Sequence, residues 1–414
     1  MPRLIRDFFG PFRGFESDAK KMVVASILAS IGDTFIWFLL LLYLDALGYA
    51  KTELGIATFL WSMFATLPLI PSGYLSDRIG RKKMIFIGIF VSATGMALLF
   101  RANTLIGFYI GSSIWGLSHS LYQPAFLGFL SEKVTEERRK FLFTFYMSTH
   151  QLAAAFTILA AGFMPSWLSR QLGITVVDGF RVVFLIAMVF ILMQIFPLLL
   201  TDKEKKKLTY KDKEPKQDTK GDKQKSFPRT TLFKLCIPMA LFGLGAGLIV
   251  PFFQVYFKWR FGTSLEDIGI LFFLTSFIWA IIYLPMPHLA ERGGSVKAIT
   301  IVHSAAIVAL LAIPTSPSFL LVAIAYMIRM VLMNSTWPLF QSYSLSQMPR
   351  EHRSLTISTT SFSFNSMKAL TPLAAGYIYG FNLELPFLIC ASFYIAATIL
   401  FYLFFRRRDD IING

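Results

Sequence analysis

Three charged side chains lie deep inside long apolar stretches of this sequence, where they could bind a proton or an ionic solute. Asp33 lies in the first stretch, Arg329 in the tenth and Lys368 in the eleventh. A charge at the middle of a membrane span costs roughly 2.5–3.5 kcal/mol on insertion scales and by default marks a functional position. Polar residues of similar depth complete one predicted substrate and ion cavity: Asp33, His119, Gln123, His150, Gln151, Arg329, Asn334, Asn365 and Lys368.

Asp33 can have either of two roles. An isolated carboxylate in a medium of low dielectric constant is penalised in its charged form, so Asp33 could exchange a proton or contact a solute. Alternatively, it could form a static ion pair with Arg329 or Lys368. The sequence leaves both roles open.

The histidines carry a similar ambiguity. His119 and His150 lie inside apolar stretches, where a lone histidine can bind a ligand or simply be a hydrogen-bonded packing residue. His303 lies nearer to the end of its stretch and is the weaker candidate.

Motifs for other kinds of chemistry are missing from the sequence. It contains no G-x-x-x-x-G-K-[ST] phosphate loop, no H-E-x-x-H and no paired C-x-x-C. Gly-Ser-Ser at 111–113 lies in an apolar stretch, whereas a nucleophile elbow needs a strand-to-helix turn. We therefore expect no catalytic residue, no metal and no cofactor, and we do not expect an enzyme.

Twelve apolar stretches must position the polar side chains. Only 15% of the residues are charged, against about 25% in soluble domains. A helix of about 20 residues crosses a hydrocarbon core of roughly 30 Å, and the period-two alternation of a barrel strand is absent. The predicted spans are 22–48, 53–75, 83–101, 104–130, 140–163, 180–200, 231–257, 266–289, 297–314, 318–345, 354–379 and 384–405.

Basic residues gather in the connections on one side of these spans. The connection 201–230 holds eleven Lys or Arg against six Asp or Glu, whereas 314–318 has no charge. By the positive-inside rule, both termini and 201–230 should be cytoplasmic, and a basic face for nucleic acid is not expected. The predicted organisation is a cytoplasmic segment 1–21, a six-helix bundle 22–200, a flexible lysine-rich linker 201–230, a second bundle 231–405 and a cytoplasmic tail 406–414.

The two halves of the sequence match at one constant offset without a gap. Residues 53–55 align with 267–269, and 160–162 align with 374–376. Each half has six spans, so the repeat is parallel and its axis follows the membrane normal, which places a solute site near the midplane between the halves. We therefore predict an all-α integral membrane fold of twelve transmembrane helices in two parallel-repeat six-helix bundles.

The connection between the second and third spans carries a recognisable motif. Residues 73–83 read GYLSDRIGRKK, which resembles the signature loop G-x-L-x-D-R-x-G-R-[RK]-[RK] of the major facilitator superfamily. The resemblance extends over nearly the whole chain in span number, repeat and motif position. A degenerate second copy is found at Glu291 and Arg292, which the repeat aligns with Asp77 and Arg78.

The resemblance implies a cytoplasmic latch that is closed in one access state and broken in the other. Gly73 would permit close helix approach, Gly80 would form a turn, and Asp77 would pair with a cation. The gating residues that it implies are Gly73, Asp77, Arg78, Gly80, Arg81, Glu291 and Arg292.

The same resemblance implies a secondary active transporter that moves a small organic solute by alternating access. Its implied partners are the solute, the lipid bilayer and protons, and we expect a monomer in the cell membrane. Efflux of amphipathic compounds is one form that this activity could take. The alternatives are an uncoupled facilitator and a non-transporting membrane receptor built on the same fold.

The charge distribution makes a testable prediction about topology. A protease site inserted into 201–230 should be cut in inside-out vesicles and protected in right-side-out vesicles, because the Lys and Arg excess retains this segment in the cytoplasm. A site inserted into 314–318 should show the opposite pattern. Cleavage within 201–230 from the outside would overturn the orientation.

Overall fold

The computed structural model of the chain describes residues 15–202, 229–283, 296–349 and 352–412, and these ranges form helices without any strand. Glu291, Arg292 and most of 201–230 lie outside the described residues. Within the described residues, each predicted span overlaps one helix or a run of consecutive helical segments, which confirms the all-α prediction. The helices are α1 (Ser17–Ala46), α2 (Lys51–Thr66, continued by Leu69–Ile79), α3 (Arg81–Arg101), α4 (Leu105–Ser131), α5 (Glu136–Leu172), α6 (Val176–Leu199), α7 (Arg229–Phe261), α8 (Leu265–Tyr283), α9 (Val296–Thr315), α10 (Phe319–Ser346), α11 (Arg353–Phe381) and α12 (Leu385–Ile412).

Most of these helices are apolar enough to cross a membrane alone. In the described ranges eight pass on length and hydropathy, and α2, which bends by 42° between its two parts, makes a ninth. The remaining three are α4, α8 and α11. Many hydroxyl side chains in the spans bond to their own helix, as Thr360 does to the Thr356 carbonyl at 2.8 Å, which reduces the cost of placing them in an apolar medium.

Capping residues set where the helices end, so some ends differ from the apolar limits. Thr104 begins α4 by accepting a hydrogen bond from the Gly107 N–H at 3.3 Å. The end of α5 is Leu172 instead of 163, because the helix continues until Gly173 adopts a left-handed conformation with φ of 63°. Apolarity shows where the hydrocarbon ends, and the caps show where the helix ends.

The structure reproduces the offset between the two halves of the sequence. Helices α2 and α8 begin at Lys51 and Leu265, and α4 and α10 begin at Leu105 and Phe319. The halves are therefore related by a pseudo-two-fold axis, with α2 packed against α11 and α5 packed against α8.

Two glycine contacts make this packing close. A Cβ added at Gly55 would lie 2.8 Å from the Gly376 Cα, and one added at Gly162 would lie 2.9 Å from the Gly269 Cα. The axis relates one contact to the other, since Gly55 corresponds to Gly269 and Gly162 corresponds to Gly376. Small residues allow two helices in a membrane to approach until their backbones touch.

The glycine contact can be tested with two substitutions in α11. Gly376→Ala places a Cβ 2.8 Å from the Lys51 carbonyl oxygen, whereas a Cβ at Gly380 meets no atom within 4 Å. Gly376→Ala should lower the free energy of unfolding by about 1–3 kcal/mol through overpacking. Gly380→Ala should leave it unchanged or raise it by up to ~1 kcal/mol, because alanine favours helix. Equal thermal stability of the two variants would contradict the packing described.

Candidate functional site

One cavity, which we call the main cavity, lies mainly in the second half of the molecule and has a volume of about 440 Å³. We call the side of the bundle with the start of α1 and the end of α6 the terminal side, and the side with the α1–α2 connection the far side. Four predicted site residues meet at this main cavity: Arg329, Asn334, Asn365 and Lys368. His303 and Tyr394 also line it, and most of the remaining wall is aromatic or methionine.

Arg329 on α10 is the most buried charge of the main cavity, with 3% of its surface exposed. Its Nη2 donates to the Tyr394 hydroxyl at 3.0 Å, and its guanidinium lies over the rings of Phe253 and Tyr394 at 5.5 and 5.8 Å. Its Nε has no hydrogen-bond partner, and it forms no ion pair with a carboxylate, among the described residues. Ring contacts of this kind offset only part of the desolvation cost of a cation.

Lys368 on α11 connects the main cavity to a smaller one of about 100 Å³. The smaller cavity lies between the halves, with Trp37 and Trp61 on one side and Gln254 on the other. The Lys368 ammonium lies 6.0 Å from the Phe364 ring centroid and makes no hydrogen bond or ion pair in the described part of the chain. It is thus a second cation at the same site.

Asp33 lies in the first half, beside a separate small cavity of about 20 Å³ that His119, Tyr122 and Gln194 also line. Its Oδ1 accepts a hydrogen bond from the Trp115 indole N–H at 3.0 Å. Within the described residues Asp33 forms no ion pair, so the static pairing with Arg329 or Lys368 is absent from this conformation.

The repeat explains why the two halves differ here. Trp115 and Arg329 occupy equivalent positions, and so do Asp33 and Gly247. A Cβ at Gly247 would collide with the Lys368 carbonyl oxygen and with Thr371. Because α7 packs so tightly on α11, this position has no room for a carboxylate in the second half.

The remaining predicted residues separate into two groups. The His119 ring lies 6.3 Å from that of Trp61, and the His150 ring lies 5.8 Å from that of Tyr146, so both histidines are on the side of the molecule that holds Asp33. Gln123 and Gln151 line none of the three cavities described above. Helical depth predicted that they were within the membrane, but not which direction they faced.

The residues of the predicted latch that are described lie together on the terminal side. Arg81 bridges Asp77 at 2.9 Å and Glu132, at the end of α4, at 2.7 Å. Gly80 has φ of 100° and separates α2 from α3, and the Arg78 guanidinium lies 4.5 Å from the Tyr74 ring centroid.

The close helix approach expected at Gly73 stays a prediction. Among the described residues, a Cβ at Gly73 would meet no atom within 4 Å. The Asp77 side chain is also 55% exposed.

The far side is closed by a cluster that the sequence analysis missed. Asp45, at the end of α1, accepts a hydrogen bond from the Trp259 indole and pairs with Lys258, each at 2.6 Å. Lys51 donates to the Tyr379 carbonyl oxygen at 3.2 Å and lies 4.9 Å from the Trp259 ring centroid. We call these five residues the far-side gate. Asp45 and Trp259 are separated by the repeat offset, so their hydrogen bond joins equivalent positions of the two halves.

A sequence profile described as the Major Facilitator Superfamily matches residues 22–370 and again 235–411. A segment of 136 residues is 26% identical to an uncharacterized MFS-type transporter, YqjV, of Bacillus subtilis, and covers 33% of each chain. A segment of 131 residues is 28% identical to the human voltage-gated purine nucleotide uniporter SLC17A9, and covers 30% of each chain. The matched segments thus span about a third of these curated relatives.

Solved structures share the fold over almost the whole chain. A bacterial homologue of the human lysosomal transporter Spinster, in an inward-facing and unoccupied conformation, aligns with a TM-score of 0.75 and 14% identity over 95% of this chain and 97% of that chain. A bacterial homologue of the iron transporter ferroportin, also inward-facing, aligns with a TM-score of 0.70 and 14% identity over 93% and 97%. At this identity the likeness shows the fold alone.

The far-side gate predicts the behaviour of a cysteine placed beneath it. Gln254 is 1% exposed, so Gln254→Cys should react slowly with a thiol reagent added from the far side. The labelling of native Cys236 and Cys390, measured in the parent chain, is subtracted as background. Adding Asp45→Asn removes the charge that holds Lys258. The loss of about 1 kcal/mol of ion-pair energy should increase the labelling rate on the order of 5-fold.

The matched control is Asp178→Asn. Asp178 is also a far-side acid, but it pairs with Arg181 and Thr175 of its own half, so labelling should stay at the parent rate. If Asp45→Asn labels no faster than Asp178→Asn, the gate assignment is wrong.

Proposed function

The chain belongs to the Major Facilitator Superfamily, and from that premise we propose that it is a secondary active transporter that moves a small organic solute by alternating access and couples the movement to protons. The observation that carries the proposal is the main cavity with its buried cation, Arg329, lying beneath a closed far-side gate. A buried charge without an ionic partner is costly in a membrane protein and is usually retained for a ligand or an ion.

The contacts between the halves support a rocking motion. The glycine contacts at Gly55 and Gly162 place backbone against backbone, so the halves can pivot there without repacking large side chains. The far-side gate holds the halves together with one ion pair and a few hydrogen bonds. Such a gate can open when a modest free energy favours the other state.

Asp33 is our candidate for the proton-binding group. The titratable side chains near it are His119 and Tyr122 on α4 and Tyr146 and His150 on α5. Rocking would change the hydration of Asp33 and its distance from the cations of the second half. Its proton affinity would then differ between the access states, which is the requirement for coupling.

We propose that the protein is a monomer in the cell membrane with both termini in the cytoplasm. The far side would then be extracellular, and the conformation described would be open toward the cytoplasm. Residues 201–230 would be a cytoplasmic tether between the bundles.

Proton coupling predicts that the access equilibrium depends on pH through Asp33. Labelling of Gln254→Cys from the far side should change with pH in the otherwise native chain, because protonation favours one access state. Asp33→Asn should abolish that dependence. A thiol reacts faster as pH rises whether or not the protein changes state. The labelling rate of Gln254→Cys at each pH is therefore divided by the rate of Ser264→Cys, which is at an exposed far-side position.

A control variant separates Asp33 from other acids. Asp178→Asn should retain the pH dependence of the parent, since Asp178 lines none of the three cavities described and pairs with Arg181 of its own helix. If Asp33→Asn still responds to pH as the parent does, Asp33 is not the coupling group. Loss of the response only in His119→Gln or His150→Gln would assign coupling to a histidine instead.

A further inference from the structure

We propose that the solute is an organic anion, a carboxylate or phosphate attached to an aromatic or otherwise apolar body, and that its charged group binds at Arg329 and Lys368. This inference rests on the proposed transport function and names the substrate class of the same cavity. It follows from the charges, the unsatisfied polar atoms and the apolar wall of the main cavity.

The described wall of the main cavity has two cations and no carboxylate. Asp33, the acid that could have balanced them, bonds to Trp115 beside a different cavity. Two like charges facing one apolar space repel each other, and an anion bound between them would offset that repulsion. The guanidinium of Arg329 keeps N–H donors beyond its bonds to the Tyr394 hydroxyl and the Met330 sulfur. Its planar shape matches the paired oxygens of a carboxylate or phosphate.

Two buried polar atoms in this wall have no partner among the described residues. They are the Nε of Arg329 and the Nδ1 of His303, whose side chains are 3% and 4% exposed. The other ring nitrogen of His303 is within 2.7 Å of the Thr336 hydroxyl. Buried polar groups are normally satisfied, so these two atoms are available to the hydrogen-bonding groups of a ligand.

The remainder of the wall fits an apolar body. Trp37 extends from the first half, Phe242, Trp337 and Phe364 extend from the second, and Met333 adds an adaptable thioether. A volume of about 440 Å³ lies within the range of about 300–1,000 Å³ that is typical of sites for drug-sized molecules. A small inorganic anion would leave this aromatic surface uncovered.

The alternative is that Arg329 is a packing residue held by its contacts with Phe253 and Tyr394. That account does not explain Lys368, which is turned toward the same cavity without any polar partner in the described residues. A purely structural arginine would also be expected beside a carboxylate, as Arg81 is beside Glu132. The ligand account explains both cations together.

The experiment measures binding of five probes to the full-length chain in lipid nanodiscs, by quenching of tryptophan fluorescence. The probes are 2-naphthoate, 2-naphthyl phosphate, neutral 2-naphthamide, cationic 2-naphthylmethylammonium and inorganic phosphate. We expect the two naphthyl anions to bind at least ~10-fold more tightly than the other three, the factor that corresponds to a charge-assisted hydrogen bond. A preference between the two anions identifies the head group as carboxylate or phosphate.

Variants locate the binding. Arg329→Gln and Lys368→Gln should each weaken binding of the naphthyl anions ~10-fold or more and leave binding of 2-naphthamide unchanged. Arg329→Lys should retain part of the affinity, since it keeps the positive charge but loses the planar set of N–H donors that can bond to two oxygens at once. Arg170→Gln is the matched control, because Arg170 bonds only to the Ser166 carbonyl of its own helix among the described residues.

Several outcomes would overturn the proposal. Equal binding of the amide and the anions, tight binding of inorganic phosphate alone, or no binding of either naphthyl anion would each do so. Labelling of Gln254→Cys distinguishes this failure from failure of the proposed function. If labelling still responds to Asp45→Asn and to pH, only the substrate class is wrong, whereas labelling that is fixed under every condition removes the transport mechanism itself.

Discussion

The structure depends on backbone contact between the two halves at two pairs of glycines. Where Gly55 meets Gly376 and Gly162 meets Gly269, the helices are too close for any side chain. The contact needs no directional side-chain bonds, so it can act as a pivot, and the bonds that hold one orientation are left to the far-side gate. The position of the gate follows from the same symmetry, because Asp45 and Trp259 are equivalent residues that meet at the pseudo-two-fold axis.

Within this symmetric scaffold the chemistry is asymmetric. The first half has an acid beside an indole, Asp33 with Trp115, and the second half has a glycine and an arginine at the equivalent positions. In the second half the reason for the glycine is steric, since Gly247 lies against the Lys368 backbone and leaves no room for a side chain. If a proton binds in one half and an anion binds in the other, the movement of the halves about the glycine contacts would link the two binding events. Coupling would then arise from the relative motion of the halves and would not require direct contact between proton and solute.

Much of the fold could be predicted from the sequence because the bilayer imposes strong rules on span length, and because the two halves of the sequence match at one constant offset. The constant offset between the halves indicated the equivalence of Gly55 and Gly269 before any contact was known. The site was harder, because depth along a helix does not fix its rotation. Gln123 and Gln151 line none of the described cavities, and His303, which we considered the weaker candidate, lines the main one. Asp45 drew no attention because an acid at the end of a span is unremarkable until its partner from the other half is known.

The central claim is that the halves rock about the glycine contacts, opening one side as the other closes. The most direct measurement uses double electron–electron resonance to determine distances between two spin labels at equivalent exposed positions. The label pairs are Ala50 with Ser264 on the far side and Lys83 with Lys297 on the terminal side. The account predicts two populations in each pair that shift in opposite directions: as the far-side distance lengthens with pH or a bound anion, the terminal-side distance shortens. A single distance in both pairs that no condition alters would contradict it.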